Sequence, residues 1–133
     1  METQILLNKA AISVSKLLKK KREGSSQLNQ LLEVLSSRQG VEGIYAVQEH
    51  LVYQSGRILP KEFCKCVYQD LMEVIKSDEK DPARTARQYL NHIKRLFKGA
   101  EELDSIRIQN ENSAFDEFAR QVFAPSPERR ERR

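Results

Sequence analysis

The sequence predicts an all-α protein: a compact bundle of five or six helices over residues 1–123, followed by a disordered, Arg-rich tail over 124–133. Three observations predict it. Apolar residues recur at intervals of three and four rather than two along most of the chain. The five glycines and four prolines are too few to turn the many short strands of an all-β fold. The length of 133 residues suits one domain with one core. A chain of this size buries about two-thirds of its unfolded surface and needs no disulfide or metal to fold.

The first helix is expected over about Thr3 to Glu23. Leu7, Ala11, Val14 and Leu18 form its stripe, widened by Ile5, Leu6, Ile12 and Leu17. Lys16, Lys19, Lys20, Lys21 and Arg22 cluster in its last turns, where cations complement the helix dipole. Gly24 is placed to end it. Ser25 or Ser26 can cap a second helix bearing Leu28, Leu31, Leu32 and Leu35. A third carries Ile44, Val47 and Leu51 and ends at Ser55-Gly56. Pro60 suits the first turn of a fourth, with Phe63, Val67, Leu71, Val74 and Ile75 inward.

Asp81-Pro82 is a start signal for the fifth helix, with Asp as N-cap and Pro at the first helical position. Ala86, Leu90, Ile93 and Phe97 face inward there, with Tyr89 and Leu96 alongside, and Gly99 stops the run. Residues 100–112 read as a short helix or an ordered connector. Ser113 and Asp116 then introduce a last amphipathic stretch through Phe115, Phe118, Ala119 and Val122. The tail has two prolines and no apolar residue after Ala124, which is why it is expected to be disordered.

The N-terminal apolar residues are interrupted by Glu2, Lys9 and Lys16, so no secretory signal is expected. No run reaches the roughly 18 apolar residues of a membrane span. Cys64 and Cys66 stand one residue apart in a helix and point to different sides, which precludes an unstrained disulfide. Reduced thiols in a cytoplasmic protein are the expectation.

Catalytic chemistry is sparse. A cysteine nucleophile needs a base, and His50 and His92 are distant in sequence from both thiols. Those four residues match no zinc-ligand spacing. The carboxylate pairs Asp70/Glu73, Glu101/Glu102 and Asp116/Glu117 sit among other charges, where solvation is expected rather than the split environments of acid–base catalysis. The scattered glycines form no phosphate-cradling loop. No catalytic residue, metal or cofactor is therefore assigned.

Charge says more. The net charge is +4, with 23 Lys and Arg against 19 Asp and Glu. Residues 1–23 carry six basic and two acidic residues, whereas 100–123 carry two and six. From Pro82 to Gly99 no residue is acidic, while Arg84, Arg87, Lys94, Arg95 and Lys98 are basic. Positions 84, 87, 91, 94 and 98 share one helix face, so Asn91 joins the cations there. Such a face can follow a phosphate backbone without reading bases. The candidate nucleic-acid-binding set is Lys16, Lys19, Lys20, Arg22, Arg84, Arg87, Asn91, Lys94, Arg95 and Lys98. A plainly solvated face, or one covered by the acidic segment at 101–117, is the competing structural reading. Base-specific readout is not indicated, although a helix-turn-helix over 57–98 stays open.

A short, helical, mildly basic chain with phosphate-tracking cations and no catalytic residues resembles the small subunit of a CRISPR effector complex. The resemblance covers residues 3–123 by size, helical class and charge, without a matched motif. It implies an antiviral-defence role in which the chain contacts the RNA–target duplex or the displaced strand through Lys and Arg. It also implies partners: larger protein subunits and further copies of itself. A different reading is a helical adaptor, in which Tyr45, Val52, Tyr53, Ile58, Leu59 and Phe123 form a docking patch rather than completing the core.

Overall fold

The computed structural model describes residues 1–18, 24–77 and 80–125. Among the described residues six α-helices follow one another: α1 (Thr3–Leu17), α2 (Gly24–Ser36), α3 (Val41–Gln54), α4 (Lys61–Lys76), α5 (Pro82–Gly99) and α6 (Ala114–Phe123). A 3₁₀ turn, Glu111–Ser113, precedes α6. Among the described residues, the all-α bundle is interrupted only by an isolated bridge between Ser55 and Leu59. No helix among them is long and apolar enough to cross a membrane.

α1 and α5 lie against each other at the centre. α5 also touches α2, α3 and α4; α3 bridges α2 and α4; and α6 packs on α1. The expected stripes supply most of the core, with Leu6, Val14, Leu31, Ile44, Val47, Phe63, Val67, Leu90 and Phe97 all at or below 2% exposure, whereas Ile5 is exposed and Leu7 and Ile12 are half-buried. Burying each such side chain contributes about 1.5–3 kcal/mol, enough to overcome the modest helix propensity of β-branched positions.

The helix boundaries change two expectations, at Gly24 and Pro60, and favour the connector over the helix after α5. α1 is described as far as Leu18, and residues 19–23 lie outside the described chain. Gly24 begins α2 instead of ending α1, which leaves Ser25 and Ser26 inside the first turn. Its lack of a side chain has a packing reason: a Cβ there would run into the Phe97 ring of α5. Pro60 stands at the N-cap of α4, one residue before the helix, and its carbonyl accepts from the Cys64 N–H at 3.1 Å. Residues 103–110 form no helix. Gly56, at φ 76°, supplies the left-handed residue that turns the chain after α3.

The connector is held by α6. Gln121 accepts from the Arg107 N–H at 2.9 Å and donates to the Arg107 carbonyl at 2.7 Å. Glu117 accepts from the N–H groups of Gln109 and Asn110 at 3.0 and 3.1 Å, and from the Ser113 hydroxyl at 3.2 Å. Those donors hold the Glu117 carboxyl below its usual value, the two backbone N–H groups most strongly. Asn8 of α1 docks the whole unit: its Oδ1 accepts from the Phe115 N–H at 2.9 Å, and its amide donates to the Asn112 carbonyl. An α1 side chain thus does the capping that Ser113 does not.

Candidate nucleic-acid interface

α5 is positioned by its own start signal and by four neighbours. Asp81 accepts from the Arg84 N–H at 3.2 Å, and Pro82 occupies the first helical position. Ala86, Tyr89, Leu90, Ile93 and Phe97 are buried. This fixes the opposite side outward, where Arg84, Arg87, Lys94, Arg95 and Lys98 are exposed and Asn91 is half-buried. From position 84 to 98 the row extends about 21 Å at the rise of an α-helix. That is about six phosphate steps along one strand of B-form DNA.

The row follows the seam between α5 and α2. Arg87 donates to Ser36 Oγ at 3.0 Å near the end of α2. At the other end, Ser25 and Asn29 of α2 face Asn91, Lys94 and Lys98 across a groove of about 370 Å³. Leu28 and Phe97 contribute to its walls. A groove with two lysines, an arginine (Arg95), two amides and a hydroxyl offers the donors that bind phosphate and sugar oxygens. Ser25 and Asn29 were not in the sequence-derived set. They are uncharged, and their only signal is a spacing of four on the polar side of α2.

Little competes with a ligand for this charge. Among the described residues, Lys98 alone of the row makes an ion pair, to Glu101 at 3.4 Å, with both side chains well exposed. Such a pair is worth about 0–1 kcal/mol and yields readily to phosphate. The acidic C-terminal element packs on α1, where Asp116 pairs with Arg120 of its own helix at 2.7 Å. His92 lies beside the row, half-buried; burial, then the charge of Arg95, lowers its pKa and favours the neutral ring.

The rest of the expected set is not brought to this seam. Lys16 is half-buried at the end of α1 and lines another groove, with Ile12, Ser15 and residues 106–109. Lys19, Lys20 and Arg22 lie outside the described residues, as do 126–133 of the tail.

A second polar cluster joins α1, α4 and α5. Tyr89, fully buried, donates to Asp70 Oδ2 at 2.5 Å, and Ser13 lies 3.0 Å from the Tyr89 hydroxyl and 3.3 Å from the same carboxylate. Lys9 stands 3.8 Å from Asp70 Oδ1 but 2.5 Å from Glu73. Burial pushes the Asp70 carboxyl up to about 6, against the hydrogen bond from Tyr89 and the charge of Lys9. Asp70 is therefore no solvated surface carboxylate. Cys64 and Cys66 are free thiols, and burial raises both, Cys64 to about 11. At neutral pH such thiols are poor nucleophiles. Among the described residues no three His, Cys, Asp or Glu side chains group as metal ligands.

No family model, curated protein or solved structure matches the chain.

Proposed function

We propose that this protein is a non-catalytic, cytoplasmic subunit of a larger ribonucleoprotein assembly that holds a nucleic-acid backbone along the α2–α5 seam. That is the role of CRISPR effector small subunits, which the chain resembles. The observation that carries the reading is the exposed row Arg84, Arg87, Lys94, Arg95 and Lys98, free of acidic residues on its own helix and lined by Asn91, Ser25 and Asn29. Five cations fixed on a rigid helix bind phosphates by charge and counterion release, irrespective of sequence. Changing Arg84, Arg87, Lys94 and Lys98 together to Ala should weaken binding of short RNA and DNA oligonucleotides by about tenfold or more at about 0.1 M salt. The loss should be alike for unrelated sequences and leave helical content unchanged. Unaltered binding by the folded quadruple variant would remove the proposal.

The adaptor reading has its own observation: Tyr45, Val52, Tyr53, Ile58 and Phe123 are exposed, whereas Leu59 is buried at 1%. Partners that stay bound through nuclease and high salt would favour it.

A further inference from the structure

We infer that the trough between α3 and α4 is a docking groove for an acidic, amphipathic helix of a partner chain. The trough measures about 410 Å³ and is walled by Leu51, Val52, Cys64 and Tyr68, with Lys61 and Lys65 on its rim. Val52 is 67% exposed, far above what its size and chemistry favour. Tyr45, seven residues before Val52, extends the apolar strip along the same face of α3 and is 47% exposed. Gln48 ties the two walls together by donating to the Tyr68 carbonyl at 3.2 Å.

The shape and the charge select the occupant. A channel between two packed helices accepts the ridge of a third, with anchors at i, i+3/i+4 and i+7. Lys61 and Lys65 stand one helical turn apart, and neither has a carboxylate partner among the described residues. A helix carrying Glu or Asp one turn apart beside an apolar stripe satisfies both. The groove lies on α3 and α4, apart from the α5 row, so it stands whether or not α5 binds nucleic acid.

The test uses the full chain and two labelled synthetic helices with the same leucine stripe, one flanked by Glu and one by Lys. Fluorescence anisotropy should show the Glu helix binding about tenfold more tightly than the Lys helix. Val52→Asp should abolish binding while the chain stays folded, with only a small fall in unfolding midpoint from a carboxylate in the last turn of α3. Lys61→Glu with Lys65→Glu should reverse the preference between helices. Equal binding of the two helices, or none, would overturn the proposal. So would displacement of the Glu helix by single-stranded RNA, which would make the tyrosines a base-stacking surface. Self-assembly in sedimentation that Val52→Asp removes would assign the groove to a second copy and overturn a partner chain.

Discussion

Asp70 sits where α1, α4 and α5 meet, with Ser13, Lys9, Glu73, Cys66 and Tyr89 around it. Its folded pKa of about 6 lies above the ordinary 3.8, so the folded chain holds this proton more tightly than the unfolded one. The stabilisation is complete below the unfolded value and is lost as pH rises through about 6. Asp70→Asn keeps a neutral acceptor for Tyr89 at every pH. Relative to that variant, the wild type should lose roughly 2–3 kcal/mol of stability between about pH 4 and 7. Urea denaturation of both proteins across that range measures it; a constant difference would mean that Asp70 does not titrate there. Nothing local in the sequence reveals this cluster. Its members are 57, 76 and 19 positions apart, and Asp70 beside Glu73 reads as a solvated pair. Only the packing of three helices makes it a buried carboxylate.

At the scale of elements, legibility follows the range of the interactions. α5 could be read in full because its cap, its proline, its apolar period and its terminal glycine are all local. The leucine and valine stripes of α2, α3 and α4 were legible for the same reason. Residues 103–110 read equally as helix or connector, because what orders them is the side chains of Glu117 and Gln121, many residues later. The candidate site divides in the same way: its α5 half was legible from charge, and its α2 half, Ser25 and Asn29, emerged only with the seam. The connector's dependence on α6 can be tested. Glu117→Ala removes the acceptor for the Gln109 and Asn110 N–H groups. Their amide exchange should speed up markedly in NMR, while the amides of α4 keep their protection. Unchanged exchange at 109 and 110 would show that Gln121 and Asn8 suffice to hold the segment.

For the molecule as a whole, the small net charge of +4 conceals a division of labour. The acidic α6 and the 3₁₀ turn before it pack on α1, and the seam between α2 and α5 keeps its cations, with Glu101 paired to Lys98 at one end. The apolar trough between α3 and α4 occupies other elements again. A protein so divided should bind nucleic acid with a salt dependence set by the seam rather than by its overall charge. If three or four of the five α5 cations reach phosphates, the logarithm of affinity should fall with the logarithm of salt at a slope of about −2 to −4. The quadruple variant at 84, 87, 94 and 98 should lower that slope by about two or more units. Whatever slope it retains belongs to Arg95, the one cation of the row left in place, and to basic positions off the seam: Lys16, the run Lys19, Lys20 and Arg22, and the Arg-rich tail. A residual slope equal to that of the wild type would place the phosphate contacts on the positions off the seam and leave the seam solvated. Val52→Asp, which alters only the trough, should leave the slope as it is. Salt titrations of the three proteins on one oligonucleotide therefore separate a phosphate-binding seam from a protein-binding trough.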